Sequence, residues 1–92
     1  MTEKEIKPTQ IYDFTGLKCP LPVLKTKRAL KNHSNGEVIE IIADDPAANL
    51  DLKHFCEVSG NILLQVIKKN KNLNCFIKKN EGLLNNSLIS FL

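Results

Sequence analysis

Ninety-two residues, 42% hydrophobic and 25% charged, suffice for one compact domain with one core and not for two, so any active site must sit at the surface or edge of that core. The net charge of +3 is modest, and three cysteines at positions 19, 56 and 75 make neither a complete disulfide set nor the paired C-x-x-C spacing of a zinc site. With no apolar secretory stretch in the first nine residues and no run near the ~18 apolar residues of a membrane helix, the chain reads as a cytoplasmic, non-membrane protein with at least one free thiol.

After an N-terminal extension over residues 1–9, residues 11–15 (Ile-Tyr-Asp-Phe-Thr) alternate in polarity with period two, as a half-buried strand does, and Gly16 ends it. From Pro20 to about His33 the period changes. Val23, Thr26, Ala29, Leu30 and His33 share one helical face, while Lys25, Lys27, Arg28 and Lys31 cover the rest. Asn35 and Gly36 stop the helix and turn the chain. Residues 37–43 are rich in β-branched side chains and nearly continuously apolar after Glu37, which predicts a central strand. Asp44, Asp45 and Pro46 then read as an acidic cap with a proline in the first helical turn, followed by Ala47, Leu50, His54, Phe55 and Val58 at helical spacing up to Gly60.

Residues 62–69 and 73–79 read as two further strands joined by a short loop at residues 70–72, which suits a hairpin. The order is β-α-β-α-β-β. It predicts an α/β (α+β) two-layer sandwich: a four-stranded mixed sheet with both helices packed on one face. Residues 80–92 carry Leu83, Leu84, Leu88, Ile89, Phe91 and Leu92 around a polar run, and read as a frayed tail or as an apolar segment that packs on the sheet or on a second copy.

The segment from Asp13 to Pro22 carries the chemistry. It sets Cys19 between a strand end and the first turn of a helix, where unpaired N–H groups and the helix dipole favour a thiolate. Pro20 and Pro22 fit the first helical turn, Gly16 permits a sharp bend, and Lys18 adds positive charge beside the thiol.

Asp13, Gly16, Leu17, Cys19, Pro20 and Pro22 match D-x-x-G-L-x-C-P-x-P, and the chain thereby resembles the TusA family, also called SirA-like or UPF0033 proteins. The likeness extends through residues 37–46 and the Phe55, Cys56 pair, so that residues 10–79 are expected to form the sulfur-carrier domain. The resemblance implies a sulfurtransferase that takes sulfane sulfur from a cysteine desulfurase or another sulfur donor protein as a persulfide on Cys19 and passes it to a downstream acceptor protein. In the best-known branch of the family that relay ends in 2-thiolation of the tRNA wobble uridine. Lys18, Lys25, Lys27 and Arg28, by their proximity to Cys19, are the expected partner-binding face.

Persulfide exchange needs a thiolate and a leaving thiolate, so no general base is required if Cys19 is already ionised. The lack of paired ligand spacing and of a glycine-rich phosphate loop predicts no metal and no organic cofactor. His33 and His54 read as packing or surface residues, and Asp44 and Asp45 as helix caps. Cys56 and Cys75 read as small buried hydrophobes, with a resolving thiol as the alternative. The lysines at 68, 69, 71, 78 and 79 read as solvated charge, and no basic-aromatic interleaving supports direct nucleic-acid binding. Two rival functions remain at this stage: a noncatalytic RNA- or protein-binding module, and a redox sensor in which Cys19 cycles through sulfenic acid or a mixed disulfide.

Overall fold

The structure is a computed structural model and describes residues 6–80; the expectations for the outermost N-terminal residues and for the apolar tail fall outside the described residues. The elements run β1 (Gln10–Asp13), α1 (Leu21–Leu30), β2 (Val38–Ala43), α2 (Ala48–Ser59), β3 (Ile62–Lys69) and β4 (Asn72–Lys78). They form one four-stranded sheet in the order β1-β2-β4-β3. β1 pairs parallel with β2, and β4 pairs antiparallel with both β2 and β3, so the sheet is mixed as the order of elements predicts.

The alternation along β2 fixes the layers. Ile39, Ile41 and Ala43 are buried on one face, while Val38, Glu40 and Ile42 on the other stay half-exposed. Leu73, Cys75 and Ile77 of β4 join Ile39 and Ile41 in a core completed by Leu30 of α1 and by Leu52 and Cys56 of α2. Both helices therefore cover the same face of the sheet, with Tyr12, Phe14, Val23 and Phe55 packed at the margin of the core.

Several boundaries differ from the sequence expectation; α2, for one, begins at Ala48 rather than at Pro46. The first strand spans Gln10–Asp13 rather than 11–15 because Asp13 Oδ1 accepts from both the backbone N–H (3.0 Å) and the hydroxyl (2.7 Å) of Thr15, which bends the chain into a turn. α1 ends at Leu30, and the next residues tighten into a turn in which Lys31, Asn32 and His33 donate to carbonyls three residues back. The β3–β4 loop shortens to Asn70 and Lys71, with Asn70 at φ 54°, a left-handed position that asparagine tolerates well.

α2 presents a different face to the sheet from the one its periodicity suggests. Ala48, Leu52 and Cys56 are buried, whereas Leu50 and Val58 are each 70% exposed. The helix carries two apolar stripes, and the sheet takes the one whose small residues, Ala48 and Cys56, allow close approach. Gly60 closes α2 as expected, at φ 90° with its N–H bonded to the Cys56 carbonyl at 2.9 Å.

Candidate functional site

β1 and β2 are adjacent and parallel, so the loops that leave their C-terminal ends lie side by side. The first loop, residues 14–20, carries Cys19; the second carries Asp44 and Asp45. Their side chains lace the two loops together. Asp44 Oδ1 accepts from the Gly16 N–H at 2.9 Å, and Asp45 Oδ2 accepts from the Cys19 N–H. The other oxygen of Asp45 accepts from the Ala47 N–H at 3.0 Å. Neither aspartate is the N-cap residue of α2, which is Ala47 and makes no side-chain cap bond: Asp44 is turned toward the cysteine loop, and Asp45 is shared between that loop and the Ala47 N–H. The two N–H bonds hold the Asp45 carboxyl below the usual carboxylate range, helped by the charge of Lys18.

Each residue of the D-x-x-G-L-x-C-P-x-P motif has a visible structural role. Asp13 makes the turn that follows β1, and its bonds to Thr15 hold its own carboxyl below the ordinary range. Gly16 takes φ +88°, a conformation that a side chain would strain. The half-buried Leu17 donates its N–H to the Phe14 carbonyl at 3.2 Å. Pro20 stands at the N-cap of α1 after a cis Cys19–Pro20 peptide, and Pro22, the second residue of the helix, is buried while its carbonyl accepts the Thr26 hydroxyl at 2.7 Å.

Cys19 therefore lies just outside the helix, exposed at the loop tip. Its electrostatics are opposite to the expectation of a thiolate favoured by the helix start and by Lys18. The Cys19 thiol donates to Asp51 Oδ2 on the first turn of α2 at 2.8 Å. This bond, partial desolvation and the charges of Asp51 and Asp45 push the thiol up from its ordinary value. An anion on sulfur would face two carboxylates, and that repulsion disfavours it.

Beside the thiol runs a shallow groove of about 330 Å³ between the two helices, lined by Cys19, Pro20, Val23, Asp51, His54, Phe55 and Val58. It is mostly apolar, and of the two exposed residues of α2 named above Val58 lines it while Leu50 does not. His54 is thus a groove-wall residue. Of the expected partner-binding cations, Lys18 sits beside Asp45, whereas Lys25 and Arg28 line a second hollow with Tyr12 and Phe14. None of Lys18, Lys25, Lys27 and Arg28 lines the groove at the thiol, although all four are exposed.

Cys56 and Cys75 are buried in the core, and burial pushes both thiols up to about 11. They do not share the surface site with Cys19. Asp51 escaped the sequence reading, because nothing local marks a residue that meets Cys19 from 32 positions away. The usable signal was the parallel β1–β2 pair, which brings the two following loops together.

Among the described residues no helix is long and apolar enough to cross a membrane. A family model described as sulfurtransferase TusA matches residues 10–79. The sulfur carrier protein TusA of Allochromatium vinosum is 37% identical over 76% of this chain and 92% of its own length. A Neisseria meningitidis protein named as a candidate sulfur carrier is 43% identical over 61% of this chain and 76% of its own. A longer Aquifex aeolicus protein named in the same way is 36% identical over 83% of this chain, which spans 39% of that relative. The crystal structure of a SirA-like protein from Desulfitobacterium hafniense superposes with a TM-score of 0.68 at 26% identity, covering 78% of this chain and 99% of the other. The extent of the family match and the length shared with these relatives lead to one assignment: the chain belongs to the TusA family of sulfur carriers.

Proposed function

We propose that this protein is a sulfur-relay carrier that accepts sulfane sulfur as a persulfide on Cys19 and hands it to an acceptor protein. The observation that carries the reading is the presentation of Cys19: an exposed thiol on a loop that the Asp45 carboxylate holds through the Cys19 N–H, beside an open groove rather than inside a cleft. A carrier must admit a donor protein's cysteine to its own and then a second protein's, and an open site permits both.

The exchange is compact. The Cys19 sulfur attacks the terminal sulfur of the donor persulfide, a new S–S bond forms, and the donor's own S–S bond breaks. The donor cysteine leaves as a thiolate and takes up the proton that Cys19 gives up. Discharge repeats these steps with Cys19 as the leaving group. Donor and acceptor are proteins able to bring a cysteine to the groove; a cysteine desulfurase suits the first role, and tRNA 2-thiouridine formation is one end point to which an acceptor leads.

Intact-protein mass spectrometry after incubation with a cysteine desulfurase, its cofactor and cysteine tests the reading. Wild-type protein gains one reducible sulfur and Cys19→Ser gains none. No gain on wild type with that donor, with thiosulfate or with polysulfide overturns the carrier function, and a gain of oxygen instead identifies a redox sensor.

A further inference from the structure

The geometry points to Asp51 as the residue that sets the charge on Cys19 and, through it, the direction of sulfur transfer: its carboxylate holds the empty carrier as a neutral thiol and repels the sulfur once it is loaded. This inference rests on the carrier reading above. Asp51 Oδ2 lies 2.8 Å from Cys19 Sγ, close enough for the thiol to donate to it. In the empty protein that bond exists only while the sulfur keeps its proton. Asp51 is half-exposed on a helix whose buried residues lie elsewhere, so the fold does not need it in the core.

The loaded state reverses the sense of the contact. A persulfide is a stronger acid than the thiol it comes from, so its terminal sulfur carries negative charge where the thiol does not. That sulfur lies one S–S bond, about 2.05 Å, beyond Sγ. A carboxylate already at hydrogen-bond distance from Sγ then faces a like charge, which raises the free energy of the loaded anion. The surrounding groups bear on the same balance: Asp45 from the β2–α2 loop adds to the repulsion, Asp44 beside it binds Gly16, Lys18 on the cysteine loop sits next to Asp45, and His54 of α2 lines the groove. Asp51 makes the direct contact and is the dominant one.

The substitution Asp51→Asn removes the charge and keeps the shape; Asp51→Glu keeps the charge. The first readout is the rate at which iodoacetamide alkylates Cys19, followed on its peptide by mass spectrometry from about pH 6 to about pH 10, in folded protein verified by circular dichroism. The expected result is a lowered midpoint in Asp51→Asn with several-fold faster alkylation near neutrality, the gain in thiolate exceeding its loss of nucleophilicity, and Asp51→Glu close to wild type. The second readout is the partition of sulfur between loaded carrier and glutathione at equilibrium, where Asp51→Asn retains the larger share. A midpoint in Asp51→Asn equal to that of wild type, or an unchanged partition, overturns the inference. Alkylation requires no sulfur donor. A wild-type protein that never loads sulfur therefore sinks the carrier reading alone, and the alkylation midpoint still decides whether Asp51 governs the thiol.

Discussion

Asp45 divides its two carboxylate oxygens between two backbone N–H groups, those of Ala47 and Cys19, and is itself nearly buried at 8% exposure. Asp51, six residues on, spends its bond on a side chain. The difference has a measurable consequence. Asp45→Ala leaves two N–H groups at the junction of the loops without their acceptor, so it lowers the melting temperature and loosens the cysteine loop. Asp51→Ala leaves the backbone ladder intact and changes the melting temperature little, although it frees the thiol. Thermal unfolding followed by circular dichroism separates them, and equal melting temperatures would refute the division of roles. The cysteine, the two prolines and the turn residues were legible in the sequence because each acts on its own stretch of chain. Local pattern reads Asp44 and Asp45 as caps because it cannot show that their carboxylates bond a loop 28 and 26 residues earlier in the chain. The expectation of a thiolate rests likewise on a local signal, the helix start, whereas the acids that push the thiol up arrive through the tertiary fold.

At the scale of the elements, α2 separates packing from site construction. Its Leu52 is fully buried against the sheet, while Leu50, two residues earlier, is 70% exposed. Leu52→Ala should cost about 2–5 kcal/mol, since the rigid sheet behind it cannot collapse into the space. Leu50→Ala should fall within about 0.5 kcal/mol of wild type. Urea midpoints for the two variants check the assignment, and similar losses for both would mean that α2 packs on the stripe that includes Leu50. The periodicity of α2 could not choose between its stripes, because Leu50 and Val58 are as apolar as the residues that win. What decides is steric: Ala48 and Cys56 flank Leu52 with small side chains, and Val58 of the stripe left over joins the wall of the groove beside Cys19. The strands were easier to read, since β2 and β4 owe their central places to apolar residues that any window detects. Their order was less open to pattern. β4 lies between β2 and β3, and the residues that explain it are Gln65, Lys68 and Lys69, which suit β3 to the solvated edge of the sheet.

For the molecule as a whole, the shifted groups define a stability profile with a different cause on each side. On the acid side, Asp13, Glu37 and Asp45 are all held below their ordinary values by hydrogen bonds, Glu37 chiefly through His33 at 2.6 Å. The unfolded chain binds more protons than the native one as these groups titrate. Their contribution is complete above the unfolded carboxylate range, near pH 4, and is lost as pH falls through the lower native values. On the alkaline side the sign is reversed. Cys56 and Cys75 keep their protons to about 11 in the folded protein because burial disfavours the thiolate, whereas an unfolded thiol ionises near pH 8.5. Between those values the native state binds more protons than the unfolded one, so stability falls as pH rises. Cys19, also pushed up, acts in the same direction and is removed in a Cys19→Ser background. In that background, urea midpoints measured across pH should decline on the alkaline limb with both buried thiols present and flatten in Cys56→Ala/Cys75→Ala, while the acid limb keeps its shape. An alkaline decline that survives the double substitution would assign the loss to other groups. A flattened limb would show that the core thiols, which take no part in the carrier site, set the upper pH limit of the scaffold that presents it.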